Sequence, residues 1–303
     1  MGLLISVWGK NGSGKSTTAS NLACAYAKRG YKTALVGANR FYGSIQYFFN
    51  IVIRADQSLR AVLTGGDRLA IQDCFCACAA NKNLFIASLS DGDDCAGYGK
   101  YRNDAVVRFI NLVKKSFDIC VFDCDESTED PLSMYSLTLS DKILYVTRPA
   151  VQHAVFARAY EPIVAGLQII DRIVVAFIGG GSYDDFAPYL PFGYNRRYYT
   201  LPLCKSIERA QGDAALIILS RGVERAAARY RRVVFGLADE YKPKKDVENE
   251  IVETDIIETD SMEDGEGVNK NRNGNDNRNC KTVETSEMKP DNSAVGGGGS
   301  DGA

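Results

Sequence analysis

Six short apolar runs lie at residues 3–8, 33–36, 84–88, 119–122, 142–146 and 173–178. They are unbroken rather than alternating, which is the pattern of strands buried on both faces of a parallel sheet. Between them, apolar residues return every three or four positions. Residues 17–29, ended by Gly30, read as a helix, as do 59–63, 68–80 and 104–115, the last with Val106, Val107, Ile110 and Val113 on one side. A closing helix is predicted over 221–241. Strands alternating with helices predict an α/β fold, a mainly parallel sheet flanked by helices. Beyond residue 241 the periodicity stops. Residues 242–303 are rich in Asp, Glu, Asn, Gly and Lys and end near a Gly-Gly-Gly-Gly-Ser stretch at 296–300. They are expected to be a disordered tail behind a domain of residues 1–241.

Charge follows the same boundary. The 303-residue chain has a net charge of −2, and residues 242–303 alone hold 8 Lys/Arg and 15 Asp/Glu. The body is therefore mildly basic, compatible with an ordinary solvated surface or with contact to nucleic acid or a membrane surface. The closing helix sets Arg221, Arg225, Arg229, Arg231 and Arg232 against an apolar stripe of Val223, Tyr230, Val234, Leu237 and Tyr241. That reads as a core helix with a solvated arginine face, or as a phosphate-contacting surface. No apolar stretch reaches membrane-spanning length, and the nine cysteines lack zinc-finger spacing. Free thiols in a cytoplasmic protein are expected. A single histidine, His153, leaves no histidine-based triad or zinc site.

The densest chemistry follows the first apolar run. Gly9, Lys10, Asn11, Gly12, Ser13, Gly14, Lys15, Ser16 and Thr17 fit G-x-x-x-x-G-K-[ST], placed between a strand and a helix as that pattern requires. Its glycines let backbone N–H groups close around phosphate oxygens, and the helix N-terminus adds partial positive charge. Lys15 is expected on the β/γ-phosphates and the Ser16 hydroxyl on Mg²⁺. An apolar strand ending in Asp123 supplies the carboxylate that holds the Mg²⁺ water shell in nucleoside triphosphatases.

These residues together resemble the MinD/ParA group of dimeric ATPases. Lys10, five residues before Lys15, matches the second lysine of that group's deviant phosphate loop. Residues 17–23, 31–36, 117–123 and 140–149 match its first helix, second strand, the strand before switch II and the strand that follows. Pro202, within Leu201-Pro202-Leu203, and the segment 209–212 match the late strand and loop near the base. The resemblance covers about residues 1–240. It implies an ATP-bound homodimer in which Lys10 reaches the phosphates across the interface. Lys15 would act in cis, with Ser16 and Asp123 on Mg²⁺ and Pro202 by the base. Two departures bear on turnover. Gly37 and Asn39 stand where the group has two acidic residues, and Asn39 can hydrogen-bond a water but cannot serve as a carboxylate base. Switch II reads Asp123-Cys124-Asp125-Glu126-Ser127, without the usual proline-glycine turn. The asparagine that reads adenine is replaced by Gly179-Gly180-Gly181.

The resemblance therefore implies ATP binding with slow or partner-dependent hydrolysis. It points to a switch that positions cellular machinery, a pilus or secretion apparatus if the altered switch I reflects the TadZ/CpaE branch. Such a protein would be cytoplasmic, or peripheral to membrane or nucleoid. The alternative is a partition ATPase that binds nonspecific DNA in its ATP state. A third reading compares 94–99, around Cys95, with the nitrogenase iron protein. That chemistry needs a second thiolate past Asp123, where Asp130 stands.

Overall fold

Every residue of β2 (Thr33–Ala38), β5 (Ile119–Cys124) and β7 (Ile173–Ile178) is buried, which accounts for their unbroken apolar runs. The structure, a computed structural model, describes residues 1–64, 71–93, 101–179, 198–204, 216–219 and 224–243. These strands join β1 (Leu3–Trp8), β3 (Cys76–Ala77), β4 (Leu84–Ala87), β6 (Lys142–Thr147) and β8 (Tyr198–Leu201) in one sheet of order β3-β4-β2-β5-β1-β6-β7-β8. All neighbours run parallel except β3, which lies antiparallel to β4 at one edge.

Helices cover both faces. On one face, α1 (Lys15–Lys28) and α7 (Arg225–Glu240) bury Leu22, Tyr26, Tyr230, Val234 and Leu237 against the sheet. The other face carries α2 (Leu59–Thr64), α3 (Asn103–Ser116), α4 (Pro131–Leu139), α5 (Val151–Ala159) and α6 (Glu161–Gly166). It is packed with Val106, Phe109, Ile110, Leu137 and Phe156. Each such side chain is worth roughly 1.5–3 kcal/mol on leaving water. The connection from β1 to β2 passes over one face through α1, and that from β5 to β6 passes over the other through α4. The two diverge around β1, and this divergence opens a crevice beyond the carboxyl ends of the central strands.

Strands β1 and β7 fall where the apolar runs predict them. Three differences have physical causes. The expected helix over 68–80 is not formed by its described part: Ile71–Cys74 is a single 3₁₀ turn and Cys76–Ala77 is a strand. Cys76 pairs with Ile86 and Ala77 with Phe85, and the Cys78 N–H donates to the Leu84 carbonyl at 2.9 Å. The exposed backbone of β4 needs partners, and that pairing overrides a weak helical pattern. Second, β5 runs one residue past Asp123, through Cys124, because Ala38 of β2 continues its ladder. Third, α4, α5 and α6 were not expected. The start of α4 had a readable signal, since Asp130 caps the Leu132 and Ser133 amides at 3.2 and 3.0 Å ahead of Pro131 at the first turn.

The last described helix, α7, is capped at its C-terminus by Tyr241, whose carbonyl accepts from the Tyr26 hydroxyl at 2.6 Å. The tail beyond residue 243, the segment 209–212, and Cys95, Gly180, Gly181, Arg221 and Val223 lie outside the described residues. Among the described residues no helix is long and apolar enough to cross a membrane. The seven described cysteines are free thiols.

Candidate functional site

Gly9, Gly12 and Gly14 all have positive φ, at 146°, 81° and 100°. A side chain at Gly9 would also put its first carbon 2.2 Å from the Val146 carbonyl oxygen. The loop therefore folds tightly against the end of β6 only because that position is glycine. Gly14 is the N-cap of α1 and makes no side-chain cap, and the first turn of α1 holds no acidic residue. The first amides of the helix are thus left for an anion, with the positive end of its dipole behind them.

In front of that helix end lies a cavity of about 360 Å³. The loop contributes Asn11, Gly12, Gly14, Lys15, Ser16 and Thr17 to its wall. Asn39, Asp123 and Asp125 close the side formed by β2 and β5, and Arg148, Ile178, Pro202 and Cys204 the side formed by β6, β7 and β8. The register explains the meeting. Val7 of β1 and Gly37 of β2 both pair with Asp123, so the loop leaves its strand beside that carboxylate.

Lys15 is 7% exposed, and its Nζ donates to the Asn11 Oδ1 at 2.9 Å. Burial lowers its pKa, while Asp123, Asp125 and Glu126 oppose that shift. Asp123 is 4% exposed, and burial raises its pKa to about 6 against the pull of Lys15 and a hydrogen bond from Ser16. Its Oδ1 has no hydrogen-bond partner. A buried carboxylate oxygen without a donor, beside a hydroxyl, fits a hard divalent cation with oxygen ligands.

Lys10 is half-buried and lies outside the cavity wall, as do the buried Gly9 and Ser13. Asn39 reaches the wall, but its Oδ1 accepts from the Phe41 and Tyr42 amides at 2.9 and 3.3 Å. Both lone pairs of that oxygen are engaged, so Asn39 offers the cavity donors only. Glu126 accepts from the Asn11 amide at 2.7 Å, and its own carbonyl accepts from the Trp8 indole at 3.2 Å. Asp130, where the second cluster thiolate would stand, is the buried cap of α4.

Sequence reasoning missed Arg148 as a site residue. It follows β6, and its Nε donates to the Ser13 carbonyl at 3.2 Å, which brings the guanidinium into the cavity wall. The readable signal was its position directly after a strand that opens on the same side as β1. Together with Lys10 and Lys15 it lowers the pKa of the buried His153, for which desolvation is the larger cause.

Residues 4–158 match the AAA domain family. The chain belongs to that family, in its MinD/ParA-like group of P-loop ATPases. It is 26% identical over 152 residues to the septum site-determining protein MinD of Neisseria meningitidis, an alignment covering 49% of this chain and 54% of that one. The chain spans about half the length of the curated relatives it matches. Among solved structures, the ParA family ATPase of Chlorobium tepidum shares the fold at a TM-score of 0.64 and 15% identity, with 78% of this chain and 98% of that one covered. MinD of Pyrococcus horikoshii, solved with Mg-ADP, does so at 0.61 and 17%, with 79% and 96% covered.

Proposed function

We propose that the chain binds ATP with Mg²⁺ in this cavity and uses it as a switch between monomer and homodimer. The observation that carries the reading is the convergence of Lys15, Ser16 and Asp123 on one cavity at the open N-terminus of α1. Lys15 and the first amides of α1 would hold the phosphates. Ser16 and the unpartnered Oδ1 of Asp123 would hold Mg²⁺, which neutralises charge on the phosphate oxygens when bound. Pro202 and Ile178 offer an apolar wall for a base. Lys10, which stands off its own chain's cavity, is free to serve a second copy, as the resemblance implies.

Turnover in this reading is slow or dependent on a partner protein, since Gly37 and Asn39 lack the acidic groups of related proteins. The biological role is positioning of cellular machinery, a pilus or secretion apparatus, from the cytoplasm or a membrane surface. That assignment is supported by the altered switch I and by its likeness to the TadZ/CpaE branch.

The test is paired. Lys15→Ala is expected to abolish binding in a fluorescent-nucleotide titration. Lys10→Ala is expected to keep binding within about threefold while losing the doubling of mass that a slowly hydrolysed ATP analogue produces in light scattering. Equal affinity in Lys15→Ala would remove the site, and an unchanged ATP-dependent dimer in Lys10→Ala would remove the switch.

A further inference from the structure

The cavity wall contains two carboxylates among the described residues, Asp123 and Asp125. Asp123 lies beside Lys15 and Ser16, and its open Oδ1 is assigned to Mg²⁺ in the reading above. Asp125 follows directly after β5, as Asn39 follows after β2. The preceding residues pair as Gly37 with Asp123 and Ala38 with Cys124, so Asn39 and Asp125 emerge side by side at the mouth of the cavity. Asn39 has no acceptor left for a water, because the Phe41 and Tyr42 amides hold its oxygen.

Asp125 differs in kind. It is 6% exposed and anchored through its backbone, whose N–H donates to the Ser133 Oγ at 2.9 Å. Its Oδ1 accepts only a long bond from the Ser127 N–H, at 3.4 Å, and its Oδ2 lies 3.8 Å from the Arg40 Nε. Arg40 is in turn stacked over the Phe41 ring at 4.5 Å. A carboxylate held only by contacts this long keeps acceptor capacity for a further donor on the cavity side.

We propose that Asp125 orients the attacking water for ATP hydrolysis, in place of the acidic residue missing after β2. The inference rests on the reading of the cavity as an ATP site. A water donating a hydrogen bond to Asp125 forms its oxygen–phosphorus bond to the γ-phosphate as the bond from that phosphorus to the bridging oxygen breaks. The electron pair of the broken bond leaves with ADP, and both protons of the water leave on the product phosphate. Asp125 enters as a hydrogen-bond acceptor that fixes the direction of attack, a contribution of positioning.

Asp125→Asn and Asp125→Glu test this in the full chain by phosphate release, fluorescent-ATP titration and melting temperature. The amide variant is expected to lose at least tenfold in kcat while binding ATP at wild-type affinity or tighter, because a negative charge beside the phosphates is gone. The glutamate variant, which keeps the acceptor at a longer reach, is expected to fall between the two in kcat. Wild-type kcat in Asp125→Asn, or a wild type that binds ATP but turns over no faster than that variant, would overturn the proposal. So would a loss of ATP affinity and melting temperature in both variants, which would make Asp125 a structural group. A wild type that fails to bind ATP would instead overturn the assignment of the cavity.

Discussion

At the scale of single residues, Asp123 shows what the site costs the fold. Its folded pKa of about 6 lies above the usual 3.8 because burial penalises the charged form. A raised carboxylate pKa means that the folded state holds the proton more tightly than the unfolded one. The associated stability is present below about pH 4 and is lost as pH rises through about 6. Two pH units correspond to roughly 3 kcal/mol. Asp123→Asn is therefore expected to melt several degrees above the nucleotide-free wild type at pH 8, at about 2–4 °C per kcal/mol for a domain of this size, and to show no gain at pH 4. Parallel thermal melts at the two pH values check it, and a variant less stable at pH 8 would refute the account. The same variant should lose the Mg²⁺ dependence of nucleotide binding. In the wild type, Mg-nucleotide affinity should weaken below about pH 6, where the proton competes with the cation for Asp123.

At the scale of elements, the end of β2 explains why the acidic pattern is absent there. A side chain at Gly37 would place its first carbon 2.9 Å from the Ser88 Oγ and 3.5 Å from the Ile45 side chain. Gly37→Asp would also bury a carboxylate inside a strand whose every residue is buried. It is expected to lower stability by about 3 kcal/mol or more and to yield little soluble protein, with no gain in turnover. Denaturant titration gives the comparison, and a wild-type midpoint with faster phosphate release would show that the strand end opens easily. Elements also decide what the chain reveals in advance. The phosphate loop, β1 and β7 were legible because their residues satisfy local rules: glycines at positive φ, and apolar runs buried on two faces. The short strand β3 was not legible, since its pairing with Phe85 and Ile86 is a tertiary demand. The place of Arg148 in the wall depends on sheet order, which puts β6 beside β1 across more than 130 residues of sequence. The engagement of the Asn39 oxygen by the Phe41 and Tyr42 amides is a turn geometry that residue type alone leaves open.

At the scale of the whole molecule, the described residues already form a layered domain. Both faces of the sheet are covered by helices that end at or before Glu240, and Tyr241 ties the last of them to Tyr26 of α1. Among the described residues the hydrophobic clusters reach as far as Tyr241, and Met1–Asp246 forms one compact unit. The composition of the remainder agrees, because Asp, Glu, Asn, Gly and Lys supply too little apolar surface to offset roughly 1–2 kcal/mol per residue of backbone entropy. Deleting 247–303 is therefore expected to shift the melting temperature by less than about 2 °C, the effect of under 1 kcal/mol in a domain of this size. ATP affinity should stay within about twofold. Deletion also strips a strongly acidic segment from a mildly basic body, so any attraction of the Arg225, Arg229, Arg231 and Arg232 face to polyanions should grow, most at low salt. Heparin-column elution of the full and shortened chains at the same pH reads that change. A melting temperature that falls by more than about 4 °C would mean that the removed residues contribute to the core and that the domain does not end with α7.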